Sequence, residues 1–84
     1  MSKRVIQRTQ TGVRIESSLL KVLKGLAEYT NLSLGDLLEG IVLHSFEGKA
    51  PFSAETQDVI DKLKTVYGCA LTAEDSHKLK EEQA

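Results

Sequence analysis

The sequence predicts a mainly α-helical fold: one N-terminal strand that pairs with a second copy, two core helices and an added C-terminal helix. Three observations predict it. Residues 9–15 alternate with a period of two, Thr9, Thr11, Val13 and Ile15 on one side and Gln10, Gly12 and Arg14 on the other. From Leu19 onward the apolar residues recur at helical spacing. Asn31, Gly48 and Gly68 then punctuate the chain where helices are expected to stop.

The opening run reads as a strand because β-branched side chains pack well on a pleated surface. Glu16-Ser17-Ser18 interrupts the alternation and supplies helix-starting side chains. Leu19, Leu23, Leu26 and Thr30, flanked by Leu20, Val22 and Ala27, form one broad stripe, so the first helix is expected over 17–30. Ser33 and Asp36 carry the spacing of a capping box, with aspartate in place of the usual glutamate. Leu34, Leu37, Leu38, Ile41, Val42, Ser45 and Phe46 trace the buried face of the second helix, which Gly48 and Pro51 end. Gly35 and Gly40 cost that helix roughly 1 kcal/mol each relative to alanine, which points to close backbone approach. Ser53 or Thr56 caps a third helix with Val59, Ile60, Leu63, Val66 and Tyr67, expected to pack back on the core over 52–67, with Leu43 receiving Val59, Leu63 or Val66. Thr72-Ala73-Glu74-Asp75 begins a last short turn holding Leu79, and the acidic end frays.

At 84 residues the chain makes one small domain, and small domains often complete their core with a second chain. Cys69 is the one cysteine, so no disulfide closes within the chain, and with no signal peptide evident a cytoplasmic setting is expected. No apolar run is long enough to cross a bilayer. The net charge of −1 hides an asymmetry. Residues 1–28 hold six basic against two acidic side chains, a net +4, whereas residues 29–84 hold five against ten, a net −5. No acid precedes Glu16, and a basic arm on an acidic body suits a partner bearing phosphates.

A lone strand leaves a row of backbone donors and acceptors open, and no second alternating run is available within the chain. The same strand from another copy, antiparallel about a two-fold axis, is the simplest remedy. Strand, helix, short turn, helix resembles the ribbon-helix-helix DNA-binding family of the Arc, MetJ and CopG type, here with a C-terminal helical extension. The resemblance runs over about residues 8–47 and rests on "TGVRI", "ESSLLKVLKGLAEY" and "NLSLGDLLEGIVLHSF". It implies a homodimeric, sequence-specific DNA-binding protein, a bacterial transcriptional regulator or repressor, whose two-stranded β-ribbon enters the major groove. Gln10, Gly12 and Arg14 would then face the bases, arginine suiting guanine and glutamine suiting adenine. Lys3, Arg4, Arg8, Ser33 and the backbone of Leu34 and Gly35 would hold phosphates. Val13, Ile15, Leu23, Leu26, Leu38, Ile41 and Val42 would form the dimer core.

The resulting organisation is a basic arm over 1–8, a dimerisation and DNA-binding core over 9–48, an added helix over 49–72 and a short helix with a tail over 73–84. No enzyme, cofactor or metal site is expected. His44, Cys69, Asp75 and His77 lack zinc-ligand spacing, and Cys69 reads as a small, half-buried apolar residue. No glycine-rich phosphate loop or carboxylate pair is present. A competing reading is a protein-interaction module, an antitoxin or adaptor whose C-terminal region binds a partner protein. Gly12, Asp36 and the acidic body favour it.

Overall fold

Side-chain caps open the helices, and residues in left-handed backbone conformation close them. In a computed structural model that describes residues 4–82, α1 spans Ser17–Thr30, α2 spans Leu34–Phe46 and α3 spans Ala54–Val66, followed by one 3₁₀ turn at Ala73–Asp75. The α1 start is held by Glu16, whose Oε1 accepts from the Leu19 N–H at 2.9 Å and the Ser18 hydroxyl at 2.6 Å. Those bonds, the Ser18 hydroxyl first, hold the Glu16 carboxyl below its ordinary pKa. Ser33 and Ser53 cap α2 and α3 by accepting from the N–H groups of Asp36 and Thr56 at 3.1 and 3.2 Å. The reciprocal half of the expected capping box is not formed. The Asp36 carboxylate lies 3.7 Å from the Arg8 guanidinium instead.

Each helix ends alike. Asn31, Gly48 and Gly68 have φ of 58°, 70° and 65°. The next N–H then bonds back to a carbonyl five residues earlier: Leu32 to Ala27 at 3.0 Å, Lys49 to His44 at 2.9 Å and Cys69 to Lys64 at 2.8 Å. The α1 helix runs over the residues its stripe predicts, 17–30, because both of its ends are set by neighbours a few positions away in the chain.

Both other helices pack against α1. Leu26, Ala27 and Leu37 form the buried centre, and Leu23, Ile41, Phe52, Val59, Ile60 and Leu63 pack around them. Gly25 allows α3 to come close: a Cβ there would lie 3.1 Å from Leu63 Cδ2 and 3.5 Å from the Tyr67 ring. The close approach expected at Gly35 and Gly40 is absent, since a Cβ at either position meets nothing within 4 Å. Leu43 does not receive α3 either; it is 65% exposed, because α3 lies against α1. Cys69 is buried rather than half-buried.

The N-terminal strand requires correction. Among the described residues there is no β-strand, and residues 4–16 have no regular secondary structure. The intermolecular antiparallel ribbon and the ribbon-helix-helix assignment that depends on it are therefore overturned: the described chain is three α-helices and one 3₁₀ turn. Alternation alone does not make a strand, which exists only through a ladder to a neighbour. Here ion pairs hold the segment in place of a ladder, Arg8 reaching α2 and Arg14 reaching Glu81. Val13 is 75% exposed, not seated on the leucines.

Two stability outcomes follow from this packing. Leu26→Ala removes the most deeply buried side chain (2% exposed) and should cost about 2–5 kcal/mol in urea unfolding. Gly35→Ala and Gly40→Ala should each stabilise the chain by about 0.5–1 kcal/mol, because the helix gains propensity and nothing is displaced.

Candidate functional site: an open helix face beside an arginine anchor

Helix α2 is apolar almost all the way round. Leu34, Leu37, Leu38, Ile41, Val42, Leu43 and Phe46 occupy it, and Asp36 and Glu39 are its only carboxylates. A helix of that kind is normally enclosed. Yet Leu37 is its one buried residue. At 100° per residue, Leu37 and Ile41 point to the core shared with α1, while Leu38, Val42 and Phe46 form a ridge that turns away from it, with Leu43 on the far flank. Phe46 is 84% exposed, Leu43 65% and Val42 43%. Gly35 sits on the same outward side and leaves the backbone bare there.

The face is bordered by an ion-pair anchor. Arg8 donates from Nε and Nη2 to the two carboxylate oxygens of Glu39, both at 2.9 Å, and its Nη2 lies 3.7 Å from Asp36. This two-pronged geometry suits guanidinium and carboxylate planes. The hydrogen bond from Arg8 holds the Glu39 carboxyl below its ordinary pKa, and the same bond raises that of the Arg8 guanidinium. Upstream of the anchor, Val5 is fully exposed and Ile6 is 58% exposed.

The residues read from the sequence as DNA contacts do not converge. Gln10, Gly12 and Arg14 are exposed along the segment before α1, and Arg14 is ion-paired with Glu81 in a groove that also borders Ser17, Leu79 and Lys80. Arg4 is exposed, Arg8 is engaged by Glu39, and Lys3 lies outside the described residues. Ser33 serves as the α2 cap with Gly35 exposed and Leu34 half-buried beside it, and the Asp36 carboxylate shares that first turn. Of the residues read as a dimer core, Leu26 is buried, while Leu23 and Ile41 are partly buried against the core of the single chain. Ile15 and Leu38 are half-buried, and Val13 and Val42 are exposed.

Sequence reasoning missed Leu43 and Phe46 as an outward pair. The signal was partial: a helix with apolar residues on every side cannot bury them all against one neighbour, but its sequence does not mark which ones stay outside. A half-open apolar cleft of about 390 Å³ also lies among α1, α3 and the segment after α3, lined by Leu19, Leu23, Leu26, Ile60, Leu71 and Leu79. Its two charged groups are already used. The Lys64 ammonium donates to the Leu71 carbonyl at 2.8 Å, and the Asp75 carboxylate accepts from the Thr72 N–H at 2.8 Å. His44 Nδ1 lies 2.8 Å from the Gly40 carbonyl on its own helix, and among the described residues no three His, Cys, Asp or Glu side chains cluster to hold a metal. No described helix is long and apolar enough to cross a membrane.

The Arg8–Glu39 anchor has a pH signature. Because the Glu39 pKa is depressed, the attachment is complete above the ordinary carboxylate value and is lost as pH falls through the lowered one. Carbon-detected NMR titration should find Glu39 protonating below the ordinary range, and Arg8→Ala should return it there. An unshifted Glu39 in the unaltered chain would contradict the anchor.

Comparison with family models, curated proteins and solved structures returns no match for this chain.

Proposed function

We propose that the chain is a protein-interaction module that docks a partner on the outward face of α2. The observation that supports it is the exposure of Val42, Leu43 and Phe46 on a helix that has one buried residue of its own. Contiguous apolar surface of this kind is where proteins associate, since covering it removes the cost of hydrating it. Aromatic side chains in such a patch supply a large share of binding energy, and Phe46 is its aromatic member. The expected docking region thus shifts from the C-terminal part of the chain to α2. A reducing cytoplasm is the setting this reading takes, supported by a single, buried cysteine.

The double substitution Leu43→Asp with Phe46→Asp tests it. Both side chains lie outside the core, so the melting temperature should stay nearly unchanged, because surface changes are usually within about 0.5 kcal/mol. Association, read by light scattering on the purified chain and by quantitative co-purification from the cells that express it, should fall at least about tenfold, the effect expected for losing a buried aromatic anchor. Equal recovery of associated protein with and without the substitutions refutes the role of this face.

A second reading, DNA binding by a transcriptional regulator, is favoured by a separate observation. No acid precedes Glu16, and Arg4, Arg8 and Arg14 are all exposed. Such a basic segment contacts duplex phosphates without reading bases. Gel-shift titration against salt should then show the slope falling by about one when Arg4 or Arg14 is replaced by alanine. No shift of duplex DNA at low salt removes this reading and leaves the first intact.

A further inference from the structure

We infer that the occupant of the α2 face is a second copy of this chain, which inserts its own segment Arg4–Arg8 and receives the other's in exchange. The inference rests on the docking role proposed for α2 and names the partner. Two unpartnered apolar features flank one ion pair. On the helix side are Val42, Leu43 and Phe46; on the arm side are Val5 and Ile6, among the most exposed apolar residues described. Between them Arg8 grips Glu39 and approaches Asp36.

Charge complementarity points to the same occupant. The open face is bordered by Asp36 and Glu39, and no lysine or arginine lies on α2, while Glu47 just beyond it pairs with Lys49 at 3.2 Å. The arm Arg4-Val5-Ile6-Gln7-Arg8 offers the opposite pattern, two arginines around two aliphatic side chains. The Arg8–Glu39 pair within one chain shows that this guanidinium fits this carboxylate. Within one chain, that pairing leaves Val5 and Ile6 exposed and off the helix. An arm arriving from another molecule enters along a different line. It sets Arg8 on Glu39 while Val5 and Ile6 cover Leu43 and Phe46, one and two helical turns further along. Because each copy both gives an arm and takes one, the exchange closes as a two-fold dimer and propagates no further.

Charge reversal with mixing separates exchange between molecules from attachment within one. Arg8→Glu places a carboxylate against Glu39, and Glu39→Arg places a guanidinium against Arg8, so each variant repels itself both within the chain and between like copies. Mixed, the two are fully complementary. At one site the introduced glutamate meets the introduced arginine; at the other the retained Arg8 of one variant meets the retained Glu39 of the other. Native mass spectrometry and sedimentation of the full chain, with circular dichroism to confirm that helices remain, give the readout.

The unaltered chain should dimerise, each variant alone should dimerise at least about tenfold more weakly, and mixing should restore a heterodimer at close to the unaltered strength. An unaltered dimer that survives both reversals, or variants that do not recover on mixing, overturns the arm exchange. If that dimer is still lost with Leu43→Asp and Phe46→Asp, the α2 docking face stands without it. An unaltered chain that is monomeric at tens of micromolar, yet co-purifies another protein through α2, overturns the second copy as occupant and leaves the proposed function in place.

Discussion

The single-chain structure depends on α1 lying between two neighbours. Leu26 and Ala27 meet Leu37 of α2, while Gly25 lets Leu63 of α3 and Tyr67 just after it come down onto the helix backbone. Very few side chains are fully enclosed by this arrangement, as expected for a domain in which surface is large relative to volume. Every apolar residue that α1 cannot cover is therefore left facing water or another molecule. The helix that suffers most is α2. Its packing is confined to one narrow flank, because α3 occupies a different side of α1 and the N-terminal segment supplies an arginine rather than a lid.

That division explains the glycines. Gly25 is a packing device, since a Cβ there would lie 3.1 Å from Leu63 Cδ2 and make that side chain give way by a few tenths of an ångström. Gly35 and Gly40 have no such role within the chain and leave the helix less stable than alanine would. A helix that combines surplus apolar surface with bare backbone is poorly designed for life as an isolated monomer. It is better suited to close contact with a partner. The acidic border formed by Asp36 and Glu39 would restrict any partner on the proposed face, since an acidic surface would be repelled and an arginine-bearing apolar segment accepted.

The basic segment also changes meaning once its contacts are known. As a string of residues, Arg4, Arg8 and Arg14 on an acid-free stretch suggest phosphate recognition. In three dimensions Arg8 and Arg14 are each matched with a carboxylate from a distant part of the chain, Glu39 and Glu81. Exposed ion pairs are individually weak, so they direct the segment without locking it. The asymmetry of charge along the sequence thus becomes, in the fold, an attraction between the chain's own first and later parts.

What the sequence determined by itself is local. Helix limits were legible because caps and stops act over three to five residues: Ser33 on Asp36, Ser53 on Thr56, and Asn31, Gly48 and Gly68 on the carbonyls just behind them. Leu26 and Leu37 were legible as core because helical periodicity places each on the apolar stripe of its own helix. The strand was not, since an alternating pattern describes side chains whereas a strand is made by backbone bonds to a separate element. Only the tertiary structure decided which flank of α2 meets α1, and with it the outward position of Leu43 and Phe46. An apolar helix carries no mark of which side will be covered; that is set by where its neighbours lie.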